Sequence, residues 1–144
     1  MVHVIAIVLW IGGVAFITTV VIPALRKNPD HKLRWEMFES FENRFALQAQ
    51  VVTVAAVASG VIMIVKLDAW QRYLDINFWW MHMMTLVWLA FTLVLFVLEP
   101  LVLNKWFAQK AAEDSDAAFS ILQKMHWVLL TLSFLAIIGA IAGV

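Results

Sequence analysis

Apolar residues run almost without interruption through four stretches of the chain, about 2–22, 45–65, 78–103 and 121–144. A helix needs roughly 20 apolar residues to cross the hydrocarbon core of a bilayer, and each stretch supplies them. Pro23 closes the first, Lys66 and Asp68 the second, and Asn104 and Lys105 the third. The pattern predicts an all-α integral membrane four-helix bundle, one domain over residues 1–144. The first stretch lacks the basic leader of a signal peptide and is read as a true span.

The polar connections carry less information. In residues 24–43, Leu33, Met37, Phe38 and Phe41 recur at spacings of three and four. That spacing predicts an amphipathic helix lying in the membrane interface, its charges mostly a solvated face. In residues 107–120, Asp114, Ser115 and Asp116 predict a cap for the helix that follows.

Four spans place both termini on one side, and the basic residues say which. Arg26, Lys27, Lys32, Arg34, Arg44, Lys105, Lys110 and Lys124 flank the connections opposite the termini, whereas Lys66 and Arg72 alone lie on the terminal side. The bias predicts termini on the outer, periplasmic side. Trp35, Trp70, Trp79, Trp80, Trp106 and Trp127 lie near span ends, where indole rings favour the headgroup layer. Trp10 and Trp88 lie deeper, and packing within the bundle and contact with a cofactor are both open for them.

Composition agrees. The chain is 64% hydrophobic and 14% charged, and its mean hydropathy is +0.89. A soluble domain is nearer half apolar and a quarter charged. Formal net charge is zero, which leaves no basic footprint for nucleic acid. There are no cysteines, which excludes disulfides, thiolate zinc sites, iron–sulfur clusters and a cysteine nucleophile. No Ser–His–Asp pattern, phosphate-binding glycine loop or zinc-protease motif is present.

The candidate chemistry therefore rests on ionisable residues inside the spans, which are costly there and invite a functional reading. His3, His82 and His126 lie within spans, and His31 lies in a loop. His3 and His82 fall at similar depth on different helices near the outer side; His126 falls nearer the cytoplasmic side. Imidazole is the commonest metal ligand, and helix bundles hold haem iron between facing histidines. His3, Ala6, Trp10, Gly13 and Ile17 share a helix face. Gly12, Gly13 and the small residues Ala55, Ala56, Ala58, Ser59 and Gly60 allow a ring, or simply another helix, to approach. The residue reading is haem b with His3 and His82 as axial ligands, lined by Trp10, Gly13 and Ser59, and with His126 as a further ligand candidate. Met81, Met83 and Met84 beside His82 leave copper as the alternative, with Met84 as a thioether donor. Arg44 and Glu99 are candidates to pair near the cytoplasmic side, where a quinone or proton site is a further reading with His126 at the same level.

The run His3-Val-Ile-Ala-Ile-Val-Leu-Trp10-Ile-Gly12-Gly13 resembles the opening of the copper resistance protein D (CopD) and HemJ group of bacterial membrane proteins. Arg44-Phe45 leading to Ser59-Gly60 resembles a second pattern of CopD-type domains, and Trp80-Met81-His82 resembles the histidine helix of HemJ. The resemblance spans all four stretches on few fixed residues. It implies a haem-binding four-helix bundle of the bacterial inner membrane. Ligation by His3 and His82 would leave no open iron position, so the expected role is electron transfer, between quinone and an external partner. A copper transport or resistance module is the alternative. An enzyme of this group would be a membrane oxidoreductase, and HemJ oxidises protoporphyrinogen. Met84 stands where HemJ has a lysine two residues after its histidine, a departure that bears on that chemistry. So small a bundle is expected to work as a homodimer or as a subunit of a larger complex in the lipid bilayer.

Overall fold

The structure is a computed structural model and describes residues 1–143, apart from the side chains of Glu99 and Pro100. It is all helical, with no strand among the described residues. Helix α1 spans Val2–Arg26 and α2 spans His31–Lys66. Two short 3-10 turns, Trp70–Leu74 and Ile76–Phe78, lead into α3, Trp79–Leu93. The chain then continues through a wider-wound π stretch, Val94–Leu103, into α4, Asn104–Glu113. Helix α5, Ser115–Ala142, completes the bundle. Four helices are long and apolar enough to cross a membrane, which marks a multi-pass membrane protein. The predicted all-α four-span architecture is present.

The helices run well past the boundaries that hydropathy predicts. Pro23 does not end α1. A π stretch at Ile17–Val21 precedes it, and Thr18 and Thr19 donate their hydroxyls to the carbonyls of Val14 and Ala15, each at 2.7 Å. Locally altered winding and hydroxyl bonds are how a membrane helix absorbs a proline. The second π stretch contains Pro100 in the same way.

The amphipathic segment before residue 45 is not a separate interfacial helix; it is the first third of α2. Asp30 caps it, its carboxylate accepting from the Lys32 and Leu33 N–H groups at 3.1 and 3.2 Å. At about 1.5 Å per residue the 36 residues of α2 extend about 54 Å. That exceeds the roughly 30 Å hydrocarbon core, so one end of α2 stands clear of it. Phe38 is its buried apolar contact there, while Leu33, Met37 and Phe41 face outward. Asn104 and Lys105 likewise do not end the third helix, because Phe107 and Ala111 on α4 find a buried face. The predicted cap before α5 is real: the Asp114 carboxylate accepts from the Ala117 N–H at 3.1 Å.

Two cores divide the bundle. One lies among α1, α2, α3 and α5, around Trp10, Val14, Val52, Phe91 and Leu130. Trp10 meets Phe91 edge-on at 4.9 Å between ring centres, and the Trp88 indole donates to the Thr53 carbonyl at 3.1 Å. The other lies at the end away from the termini, where Phe119, fully buried, receives Phe38 and Trp35 at 5.8 and 6.3 Å between ring centres. Arg34, almost buried, binds Asp116 Oδ1 at 2.7 Å and also donates to the Asn28 carbonyl. Arg26 donates to Gln123 Oε1 at 2.5 Å. These bonds tie α1 and α2 to the start of α5.

At the other end, α2 finishes in a Schellman turn. The Ala69 N–H reaches the Ile64 carbonyl at 2.9 Å and the Asp68 N–H reaches Val65 at 3.3 Å. Asp68 has φ +49°, the left-handed conformation such a turn requires.

Candidate functional site

The terminal end of the bundle encloses a cavity of about 330 Å³, at the low end for small-molecule sites. His3, Ile7, Trp10 and Ile11 supply its α1 wall. These positions recur at helical spacing and so share one face. Ala56 and Gly60 on α2, and Ser133 and Ala136 on α5, are small enough to leave the space open. Trp80, Met81, Met84, Thr85 and Trp88 form the α3 wall. Arg72 and Tyr73 close the mouth from the 3-10 turn.

His3 is held from behind. Its Nδ1 lies 2.9 Å from the Ala56 carbonyl and 3.2 Å from Ser59 Oγ. Because the carbonyl can only accept, Nδ1 carries the hydrogen. Ser59 in turn donates to the Ala55 carbonyl at 2.6 Å. In the neutral ring this leaves Nε2 with its lone pair and no protein partner among the described residues. A metal-binding histidine is commonly fixed in this way, its other nitrogen donating to a backbone carbonyl. Gly60 lets the ring lie close: a Cβ at that position would sit 3.3 Å from the His3 ring, so alanine would ask the ring to give by a few tenths of an ångström.

His82 is not in this cavity. Its Nε2 donates to the Tyr73 carbonyl at 2.8 Å, its ring lies edge-on to Tyr73 at 5.3 Å, and the side chain is exposed. The reason is helical phase. Met81, Met84, Thr85 and Trp88 occupy the inward face, and position 82 diverges from 81 by about 100°. The facing pair of His3 and His82 expected from their similar depth is therefore not formed, because position along a span sets depth but not direction. His126 donates from Nδ1 to the Leu122 carbonyl at 2.8 Å and does not line the cavity. Gly13 is also elsewhere. It receives the Phe45 ring from α2, and a Cβ there would lie 2.1 Å from that ring. Ser59 acts through His3 rather than on the cavity. Trp10 lines it, and so does Trp88. The expected pairing of Arg44 with Glu99 lies outside the described residues.

Two features were not anticipated. The Trp10 indole N–H is buried without a protein partner, an orphaned donor on a cavity-lining residue. Tyr73 anchors the mouth, its hydroxyl 3.0 Å from Thr85 Oγ1. The sequence signal for Tyr73 was its place as the chain's single tyrosine between two spans.

Among the described residues, no three His, Cys, Asp or Glu side chains converge on a point where they could hold a bare metal ion. Fold and site thus define a class: a four-span helical protein with an apolar cavity at its terminal end and one back-bonded histidine in the wall. No family model matches the chain, and neither a curated protein nor a solved structure matches it.

Proposed function

We propose that this protein binds a b-type haem in the terminal-end cavity and serves as a membrane electron carrier. The observation that carries the reading is His3, whose Nδ1 is committed to Ala56 and Ser59 while its Nε2 is left without a partner in an apolar cavity. A porphyrin brings its own equatorial nitrogens, so the protein needs to supply only axial donors. That requirement suits a cavity with one histidine better than a bare-ion site would. The indole walls of Trp10, Trp80 and Trp88 suit a flat apolar ring. The second axial donor is not His82 in this arrangement; the thioethers that line the cavity are Met63, Met81 and Met84.

When bound, the haem supplies a one-electron couple within the bilayer. The chain's part is to fix the His3 ring by its two partners on α2, to keep water out with the apolar walls, and to leave space by Gly60, Ala136 and Ala56. A redox role on the outer face of a bacterial inner membrane, with quinone or an external protein as partner, is the fuller form of this proposal.

Copper is the second reading, favoured by one observation: Met81 and Met84 share the cavity with His3. Imidazole and thioether together suit Cu(I).

An optical spectrum of the detergent-purified protein, oxidised and then dithionite-reduced, tests both. A sharp Soret band with split visible bands on reduction, lost in His3→Ala, is the expected result. A colourless protein, prepared with haem supplied, refutes the haem reading, and bound copper in that colourless protein supports the second.

A further inference from the structure

Arg72 is the one Arg or Lys lining the cavity, and no Asp or Glu lines it, among the described residues. It stands at the mouth, one position before Tyr73, whose hydroxyl and carbonyl tie the turn to Thr85 and His82. Its guanidinium lies over the Phe78 ring, 5.2 Å from the centre. That stacking orients the group without consuming its hydrogen-bond donors. No carboxylate among the described residues forms an ion pair with it; the ion pairs are Lys32 with Glu36 and Arg34 with Asp116. Asp75, three positions on, is committed to Asn77, accepting from its backbone and its side-chain amide, both at 2.9 Å. A positioned cation with unspent donors therefore caps a cavity that is otherwise nearly all apolar.

We propose that the cavity takes a flat, apolar ligand bearing a carboxylate, and that Arg72 binds that carboxylate at the mouth. Arg presents a planar fork that matches a carboxylate with two parallel hydrogen bonds. The ring enters between the indoles and the acid stays at the rim, where the charge remains hydrated. The proposal deepens the haem reading and rests on its choice of a flat ring for the cavity, but not on the iron.

Metal-free protoporphyrin IX and its dimethyl ester provide the test, because they differ only in the acid groups. Binding is read from quenching of tryptophan fluorescence in the native protein, Arg72→Gln and Arg72→Lys. Removing a charge-assisted bond of this kind weakens binding about tenfold. Arg72→Gln should therefore lower the affinity for the acid about tenfold and leave the ester unchanged. Comparing each ligand between proteins cancels their unequal partition into detergent. Arg72→Lys should retain part of the preference, since charge remains and the fork is lost.

Equal loss of acid and ester in Arg72→Gln, or no loss of either, overturns the proposal. The second outcome is the one expected if Arg72 serves a lipid phosphate instead. The two readings also fail separately. An acid preference without a His3-dependent haem spectrum refutes the haem assignment alone. A His3-dependent spectrum without an acid preference at Arg72 refutes the present proposal alone. Failure of both metal-free porphyrins to bind refutes the present proposal and leaves the haem reading to the His3-dependent spectrum.

Discussion

Gly12 and Gly13 are neighbours on one helix, and the structure gives them opposite sensitivities. A Cβ on Gly12 meets nothing within 4 Å. A Cβ on Gly13 would stand 2.1 Å from Cε2 of Phe45 and 2.9 Å from Cζ. The ring would have to retreat by about 1.5 Å to restore ordinary carbon–carbon contact, against the α1–α2 packing that holds it. Overpacking of this kind costs about 1–3 kcal/mol. Both glycines sit inside α1, so the gain in helix propensity on changing Gly to Ala, about 1 kcal/mol, applies to each. It cancels in the difference between them. Gly13→Ala should therefore be less stable than Gly12→Ala by about 2 kcal/mol. Unfolding by SDS in mixed micelles, followed by far-UV circular dichroism, gives both values on one scale. In a Phe45→Ala background the difference should vanish, because the clashing ring is gone. Two variants that agree within about 0.5 kcal/mol, the spread of ordinary uncoupled substitutions, would refute the packing of Phe45 on Gly13. So would a difference that survives removal of the ring.

Three further outcomes follow from the ends of the bundle. Arg34→Ala should cost about 2 kcal/mol in the same assay, since it removes both the bond to the Asn28 carbonyl and the charge-assisted bond to Asp116, whereas Asp116→Ala should cost less because Arg34 keeps its bond to the Asn28 carbonyl; equal losses would contradict that asymmetry. Asp68→Gly should stabilise the protein by a few tenths of a kcal/mol up to about 1, because glycine adopts the left-handed turn without a Cβ penalty; a loss of stability would show that the Asp68 side chain matters more than its backbone. His82→Ala should loosen residues 69–75, read as faster amide hydrogen exchange there, while haem content stays near that of the native protein; loss of the chromophore would return His82 to the ligand set.

The spans were legible in sequence because hydropathy reports burial in lipid directly: α1 and α2 contain the stretches expected of them, the third stretch runs through α3 and the π segment that follows it, and α5 carries the fourth as far as Ala142. Their ends were less legible, because what continues them is not hydropathy. The π stretch Ile17–Val21 leads α1 into Pro23 without a break, and Phe38, Phe107 and Phe119 extend the bundle through contacts between helices. Those contacts join residues far apart in the chain, so no local window contains them. The site divided along the same line. His3 and Trp10 could be placed on one face by counting along α1. His82 could be placed in depth, but its direction depends on which side of α3 turns inward. From Trp79 to Leu89 only His82 and Thr85 are polar, too few to decide that. Arg72 and Tyr73 lie in a turn whose fold depends on Thr85 and His82, and nothing in their own segment points to a cavity.

The two ends of the bundle divide the work between them. Away from the termini, the aromatic rings of Trp35, Phe38, Phe107 and Phe119 interlock, and Arg34 and Arg26 bind across helices. Polar groups there are mostly matched by protein partners, and helix–helix association in a membrane depends on such packing and bonds rather than on hydrophobicity. At the terminal end His3, Tyr73 and His82 are partnered too, but groups facing the cavity are left open. Small residues face a cavity, the Trp10 indole lacks a protein partner, and Arg72 lacks a carboxylate. Natural sequences depart from full satisfaction mainly where function requires it. The unmatched groups at this end converge on one apolar space, with His3 in its wall and Arg72 at its rim. That convergence, rather than any single histidine, is why the terminal end is read as the binding end and the opposite end as the clamp that holds it together.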